Sequence, residues 1–313
     1  MYLKHLCVFL TMGNIFTKAL SPRNMLNRLE GLKNLHWEKT SNIVLRKNNK
    51  IYKNDDLTSF LEENSEYNNS SLITLTPGGL RGFYNLGTCV YTKENYDLTN
   101  FIYSGASAGA WNGLMMTYKK NPHEFAIKIL DSMKENRKLK TVYDTQLYLK
   151  NEILECYDES DFDLQKLFVG VTCINENQIF TNVYSDFLGL EDAINCCIAS
   201  SNIPFITGNC EIKYNDLVSL DGGFSIHPYL NINSLKGMQI GPDMWNGKDI
   251  TFKNREKKQD LYKMFFYNNY NINFYELFIK GYSDAKDNSK IIDYWLEEPN
   301  VKNIPVAGND DSY

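Results

Sequence analysis

Along its central part the chain switches repeatedly between two hydrophobic periods. Residues 71–76, 101–104, 167–174, 178–184 and 216–220 are short apolar runs bounded by turn residues, and each predicts a strand. Between them, residues 83–93, 108–119, 125–136, 145–157 and 190–200 place apolar side chains at helical spacing. Strands that alternate with helices predict an α/β fold, a three-layer α/β/α sandwich around a mostly parallel central sheet.

The flanks lack that rhythm. Ser21-Pro22 has the character of an N-cap followed by a first helical residue, and Met25, Leu26, Leu29 and Leu32 then recur on one helical face. Residues 42–45 and 50–53 flank a polar turn and predict a hairpin, with a short helix expected over 55–66. The polar stretch 62–69 suggests a boundary, so residues 1–70 are expected to form an extension and 71–243 a catalytic core. Residues 244–313 are rich in Asn, Lys and Tyr. They are expected to complete or decorate the core, with helices over 259–270 and 274–284 and an unstructured tail from about 299. No internal repeat is present.

Composition changes this picture in two respects. The 313 residues are 43% hydrophobic and 23% charged, which is globular, and no apolar run approaches the roughly 18 residues of a spanning helix. The net charge of −5 is unevenly spread: the first 50 residues carry nine basic and two acidic side chains, +7, leaving −12 for the rest. A basic arm of this kind favours anionic surfaces, whereas the acidic body argues against nucleic acid as a partner. Seven cysteines without a CxxC pair suggest reduced, buried thiols and a cytoplasmic protein, and only four histidines make a metal centre unexpected. The sequence sets no oligomeric state.

Three glycine turns at predicted strand ends carry the candidate chemistry. The first is Gly105-Ala106-Ser107-Ala108-Gly109, a Gly-x-Ser-x-Gly pattern between a strand and a helix. There a serine in a strained turn exposes its hydroxyl, and glycines two residues either side avoid a collision. The second is Pro77-Gly78-Gly79-Leu80-Arg81-Gly82, in which adjacent glycines can aim backbone N–H groups at a developing oxyanion. A phosphate-binding loop is the competing reading, but Gly-Lys-Ser/Thr is absent and Pro77 stands at the first position of Gly-x-Gly-x-x-Gly. The third is Asp221-Gly222-Gly223, a carboxylate at a strand end, which alone is an ordinary turn signal.

Taken together and in this order, the three motifs resemble the patatin-like phospholipase family. A segment of small residues before a proline, Cys196 to Phe205, is similar to that family as well, and the resemblance covers roughly residues 72–243. It implies a lipid acyl hydrolase with a Ser107–Asp221 dyad and an oxyanion hole from Gly78 and Gly79, supported by Leu80, Arg81, Gly82, Gly105, Gly109, Gly222 and Gly223. It further implies no cofactor and no metal, and a membrane or micelle lipid as substrate. Pro77 departs from the family's usual glycine and removes any N–H donor at that position.

Two alternatives remain at this level. His227 follows Asp221 by six residues, and the order Ser–Asp–His is that of an α/β-hydrolase triad. The other is a patatin-fold membrane-binding protein without activity. Outside the resemblance, Met12-Gly13-Asn14-Ile15-Phe16-Thr17 fits the N-myristoylation pattern, provided that translation begins at Met12. One acyl chain anchors only marginally, and the basic stretch 18–50 would supply the second signal for peripheral membrane association. Residues 1–12 have a short apolar core and no small-x-small cleavage site, so secretion is not expected.

Overall fold

The computed structural model describes residues 36–53, 57–135, 142–175, 178–204, 207, 212–225, 227–230, 237–245 and 273–297. Gly13, the expected helices at 22–32 and 259–270 and the tail from 299 lie outside the described residues. The strands are β1 (His36–Leu45), β2 (Lys50–Tyr52), β3 (Ser71–Leu75), β4 (Phe101–Gly105), β5 (Leu167–Asn175), β6 (Gln178–Ser185), β7 (Ile212–Tyr214), β8 (Leu217–Leu220) and β9 (Gly237–Ile240). The α-helices are α1 (Leu57–Glu63), α2 (Gly82–Asn95), α3 (Ala108–Thr117), α4 (Pro122–Glu135), α5 (Val142–Cys156), α6 (Leu190–Ser200), α7 (Phe274–Asp287) and α8 (Ser289–Glu297).

The strands make one mixed sheet in the order β2-β1-β6-β5-β4-β3-β9. Its centre, β9-β3-β4-β5, is parallel throughout, while β6 runs antiparallel to β5 and β1 parallel to β6. Central strands are buried on both faces, which is why they read as apolar runs without clean alternation. The period of two still sorts their side chains. Val44, Ile73, Leu75, Tyr103, Val169, Val171 and Tyr184 face a large core that also holds Tyr84, Leu114, Ile129, Ile153, Ile194, Phe278 and Ile292 from seven helices. Their sequence neighbours Ile43, Leu45, Leu72, Ile102, Phe168 and Val183 face a smaller core. Phe60 of α1 closes that side, stacked on Tyr67 at 5.7 Å and edge-on to Phe168 at 6.4 Å between ring centroids.

The expected boundary near residue 70 needs correction. The predicted hairpin forms, with Val44 opposite Ile51, but β1 also joins β6 in parallel register from His36 opposite Gln178 to Leu45 opposite Ser185. Residues 36–53 are therefore part of the central sheet. Two polar side chains, one in β1 and one just after it, are tethers: Asn42 Nδ2 donates to Asn182 Oδ1 at 3.1 Å, and the Arg46 guanidinium donates to both carboxylate oxygens of Asp192 at 3.2 and 3.3 Å. Those partners come some 140 residues later, out of reach of a local polarity reading.

The C-terminal helices are equally integral. At the crossing of α2 and α7 the two backbones touch: a Cβ on Gly87 would sit 2.0 Å from the Phe278 carbonyl oxygen, and one on Gly281 1.9 Å from that of Tyr84. Tyr84 Oη donates to Asp284 Oδ2 at 2.8 Å across the same seam. No helix among the described residues is long and apolar enough to cross a membrane.

Candidate active site

The long strand β5 explains how two residues 114 positions apart come to touch. β4 pairs with the first part of β5 and stops with Gly105 opposite Val169. β8 pairs antiparallel with the second part and stops with Leu220 opposite Thr172. Both chains thus leave the sheet where pairing along β5 passes from one strand to the other. Their next residues, Ala106-Ser107 and Asp221-Gly222, meet over Gly170. Only glycines allow this approach, since a Cβ on Gly222 would lie 2.3 Å from the Gly170 carbonyl oxygen and 2.8 Å from Ala106 Cβ.

Ser107 is the N-cap of α3, with φ 55° and ψ −127°. A non-glycine residue held at positive φ costs of order 1–3 kcal/mol and persists only where its surroundings enforce it. Here they do. A Cβ on Gly105 would meet the Gly109 carbonyl oxygen at 2.2 Å, and one on Gly109 would meet that of Leu75 at 2.0 Å, so β3, β4 and α3 pack backbone to backbone. The Ser107 N–H donates to Ser200 Oγ at 2.8 Å, and Ser200 Oγ donates to the Gly170 carbonyl at 2.7 Å.

The side chains complete the pair. Ser107 Oγ donates to Asp221 Oδ2 at 2.6 Å, and the other carboxylate oxygen accepts from the Gly223 N–H at 2.7 Å. Both residues are buried. Desolvation pushes the Asp221 carboxyl up to about 6, against the two hydrogen bonds, which favour the charged form. The Asp221 backbone is fixed on both sides, its N–H donating to the Asn202 carbonyl at 2.7 Å and its own carbonyl accepting from Thr172 Oγ1 at 2.9 Å. His227 is exposed, and no hydrogen bond joins it to Ser107 or Asp221 among the described residues. The carboxylate meets the serine hydroxyl with no imidazole between them.

The predicted oxyanion loop lies alongside. Gly79 opens a single 3₁₀ turn, Gly79–Arg81, that runs into α2, and its φ of 53° is one that a side chain rarely adopts. Gly82 abuts α3, where a Cβ would be 2.7 Å from Ala108 Cβ, and Asn112 Nδ2 donates to the Gly82 carbonyl at 3.1 Å. The first turns of α2 and α3 therefore meet, and their positive dipole ends share one locus. Leu80 is buried, and Arg81 faces Asp243 at 3.6 Å with its Nε buried and unpartnered.

Gly79, Ser107 and Asp221 line one cavity, whereas Gly78 is not among its walls. Most of the remaining lining is apolar, drawn from α2 (Phe83, Leu86), α3 (Trp111, Leu114, Met115), α4 (Phe125, Ile129) and α5 (Leu149, Ile153). A nucleophile–carboxylate pair beside backbone donors and an apolar cleft can attack a carbonyl attached to an apolar chain. Among the described residues no group of three or more His, Cys, Asp or Glu side chains converges as metal ligands would.

Two contributors escaped the motif reading, Ser200 and Asn202. Both sit in the small-residue segment noted for its resemblance, but side-chain size alone does not reveal a hydroxyl that accepts from the Ser107 N–H. Neither the protein-family models nor the curated proteins compared with this chain give a match. What the site can do is read from its geometry.

Proposed function

We propose that the protein is a lipid acyl hydrolase of patatin-like type, working with a Ser–Asp dyad and a backbone oxyanion hole. Ser107 Oγ attacks the ester carbonyl as Asp221 takes its proton. The Gly79 N–H stabilises the tetrahedral oxyanion, and Asp221 returns the proton to the departing alcohol. A water molecule, giving a proton to the same carboxylate, then attacks the acyl carbonyl, and that proton passes to Ser107 Oγ as the fatty acid leaves. The carrying observation is the 2.6 Å hydrogen bond from Ser107 Oγ to Asp221 Oδ2, with the serine at positive φ.

A bare carboxylate is a weak base for a serine hydroxyl, and burial supports the assignment by raising its proton affinity toward neutrality. The apolar cleft favours a fatty acyl chain over a polar acid, and the basic N-terminal segment suits an anionic lipid surface. The central parallel strands with helices packed on them are in keeping with a three-layer sandwich of the patatin kind. The triad reading loses support from the exposure of His227.

The decisive experiment pairs a fluorophosphonate probe with a panel of phospholipid, lysophospholipid and glyceride esters. The wild-type protein should be labelled at Ser107 and release fatty acid, while Ser107→Ala and Asp221→Ala, both folded, do neither. A folded wild-type protein that neither reacts nor hydrolyses would leave only the inactive membrane-binding reading.

A further inference from the structure

We propose that the segment from Ser200 to Asn202 is a brace that sets the geometry of both dyad members, with Ser200 as a positioning residue for the nucleophile. The inference rests on the hydrolase reading above and adds to it what keeps the dyad assembled.

At φ 55° Ser107 stands outside the helix it caps, so its N–H has no place in the α3 ladder. That N–H is buried and must find an acceptor. Ser200 Oγ supplies one at 2.8 Å. A hydroxyl has a single proton, and that of Ser200 is committed to the Gly170 carbonyl at 2.7 Å, which leaves its lone pairs facing Ser107. The two bonds therefore have fixed directions. Ser200 is wholly buried, so water cannot substitute for it.

Two residues on, the Asn202 carbonyl accepts the Asp221 N–H at 2.7 Å, and Asn202 Nδ2 is itself anchored on the Ser219 carbonyl at 2.8 Å. The end of one helix thus holds the backbone of the nucleophile and the backbone of the base. Gly170, the third point of the brace, is the residue over which the elbow and the Asp-Gly-Gly turn meet. One consequence concerns the oxyanion: because the Ser107 N–H is already spent on Ser200, it is not a donor to the reacting carbonyl, and Gly79 and Ala108 are the loop and elbow residues that line the same cavity. Without the Ser200 hydroxyl, the packing at Gly105 and Gly109 still holds the turn, but the peptide plane before Ser107 loses its one side-chain acceptor and the alignment of Oγ on Asp221 Oδ2 loosens.

The test compares Ser200→Ala, Ser200→Thr, Ser200→Cys and the packing control Ile194→Val, a buried α6 residue away from the dyad. The readouts are the rate constant for fluorophosphonate labelling of Ser107, kcat and KM for an ester substrate, and thermal stability. Ser200→Ala should slow labelling and lower kcat by about 10- to 100-fold with KM unchanged, because the cavity walls stay in place. Ser200→Thr, which keeps the hydroxyl, should recover most of the rate. Ser200→Cys, with a weaker acceptor of similar size, should fall between, and it serves as the informative variant if Ser200→Ala does not fold. Ile194→Val should lose stability without slowing labelling. A folded Ser200→Ala or Ser200→Cys protein labelled at the wild-type rate overturns the brace and leaves the hydrolase reading intact. Slowing of Ile194→Val in the same proportion to its stability loss also overturns it. A folded wild-type protein that is never labelled at Ser107 overturns both.

Discussion

The nucleophile elbow and the oxyanion loop are both glycine turns at the ends of parallel strands, yet they are held very differently. At the elbow, added Cβ atoms would fall 2.0–2.2 Å from backbone oxygens at Gly105 and Gly109. In the loop, a Cβ on Gly78 would meet nothing closer than 3.5 Å, and the Arg81–Asp243 pair spans 3.6 Å with Asp243 half-exposed. The elbow is over-determined by packing because it must keep one residue strained. The loop has only to present N–H groups and depends on conformation more than on contact. Glycine serves sterics in the first turn, whereas in the second it serves torsion at Gly79 and close packing at Gly82.

That contrast can be broken at several points. The largest effect is expected from Gly109→Ala, whose Cβ has a backbone oxygen 2.0 Å away with no flexible side chain to yield. It should cost more than about 4 kcal/mol and leave little folded protein by denaturant titration. Next comes Asp221→Asn, which should lower kcat by about 10³–10⁴-fold. Its stability should change in the opposite sense. The Asp221 carboxyl titrates near 6 in the fold against 3.8 ordinarily, so the folded protein keeps a proton that the unfolded chain gives up between those values. Its stability therefore falls as pH rises through that window, by up to about 3 kcal/mol. Asp221→Asn should raise Tm at pH 7 and not at pH 3.5, and an equal change at both would contradict the raised carboxyl.

The same titration sets the wild-type rate. Hydrolysis should be flat above about pH 6 and fall tenfold per unit below it, as the base is lost. Gly79→Ala comes lower in the series: a side chain at φ 53° costs about 1 kcal/mol and should reduce turnover about tenfold by turning the N–H away. The smallest effect belongs to Gly78→Ala, with φ −157° and only ordinary van der Waals contacts for an added Cβ, where chemical denaturation should show a change below about 0.5 kcal/mol.

What was legible in the sequence follows the range of the forces involved. The helices and central strands from residue 71 to 220 obey local periods, and they form within a few residues of where those periods place them. The three glycine turns were legible for a related reason: strained or crowded backbone demands glycine in the turn itself. β9, Gly237–Ile240, carries only two apolar side chains, Met238 and Ile240, and does not stand out as an apolar run. β1 was mistaken for part of an extension because its partner β6 lies far along the chain and its tethers, Asn42 and Arg46, look like surface residues in isolation. Ser200 was invisible for a different reason, since nothing in a run of small residues marks which hydroxyl accepts from a distant N–H.

The crossing of α2 on α7 has a consequence for when the site comes into being. The oxyanion loop leads directly into α2, and α2 gains its backbone-close partner only from Gly281, nearly two hundred residues further along. During synthesis, a chain that has emerged through the Asp-Gly-Gly turn carries both dyad residues but still exposes the α2 seam to water. Closure of that seam has to wait until α7 has been made. A chain assembled in this order holds both Ser107 and Asp221 before the helix that braces the neighbouring glycine loop has been made.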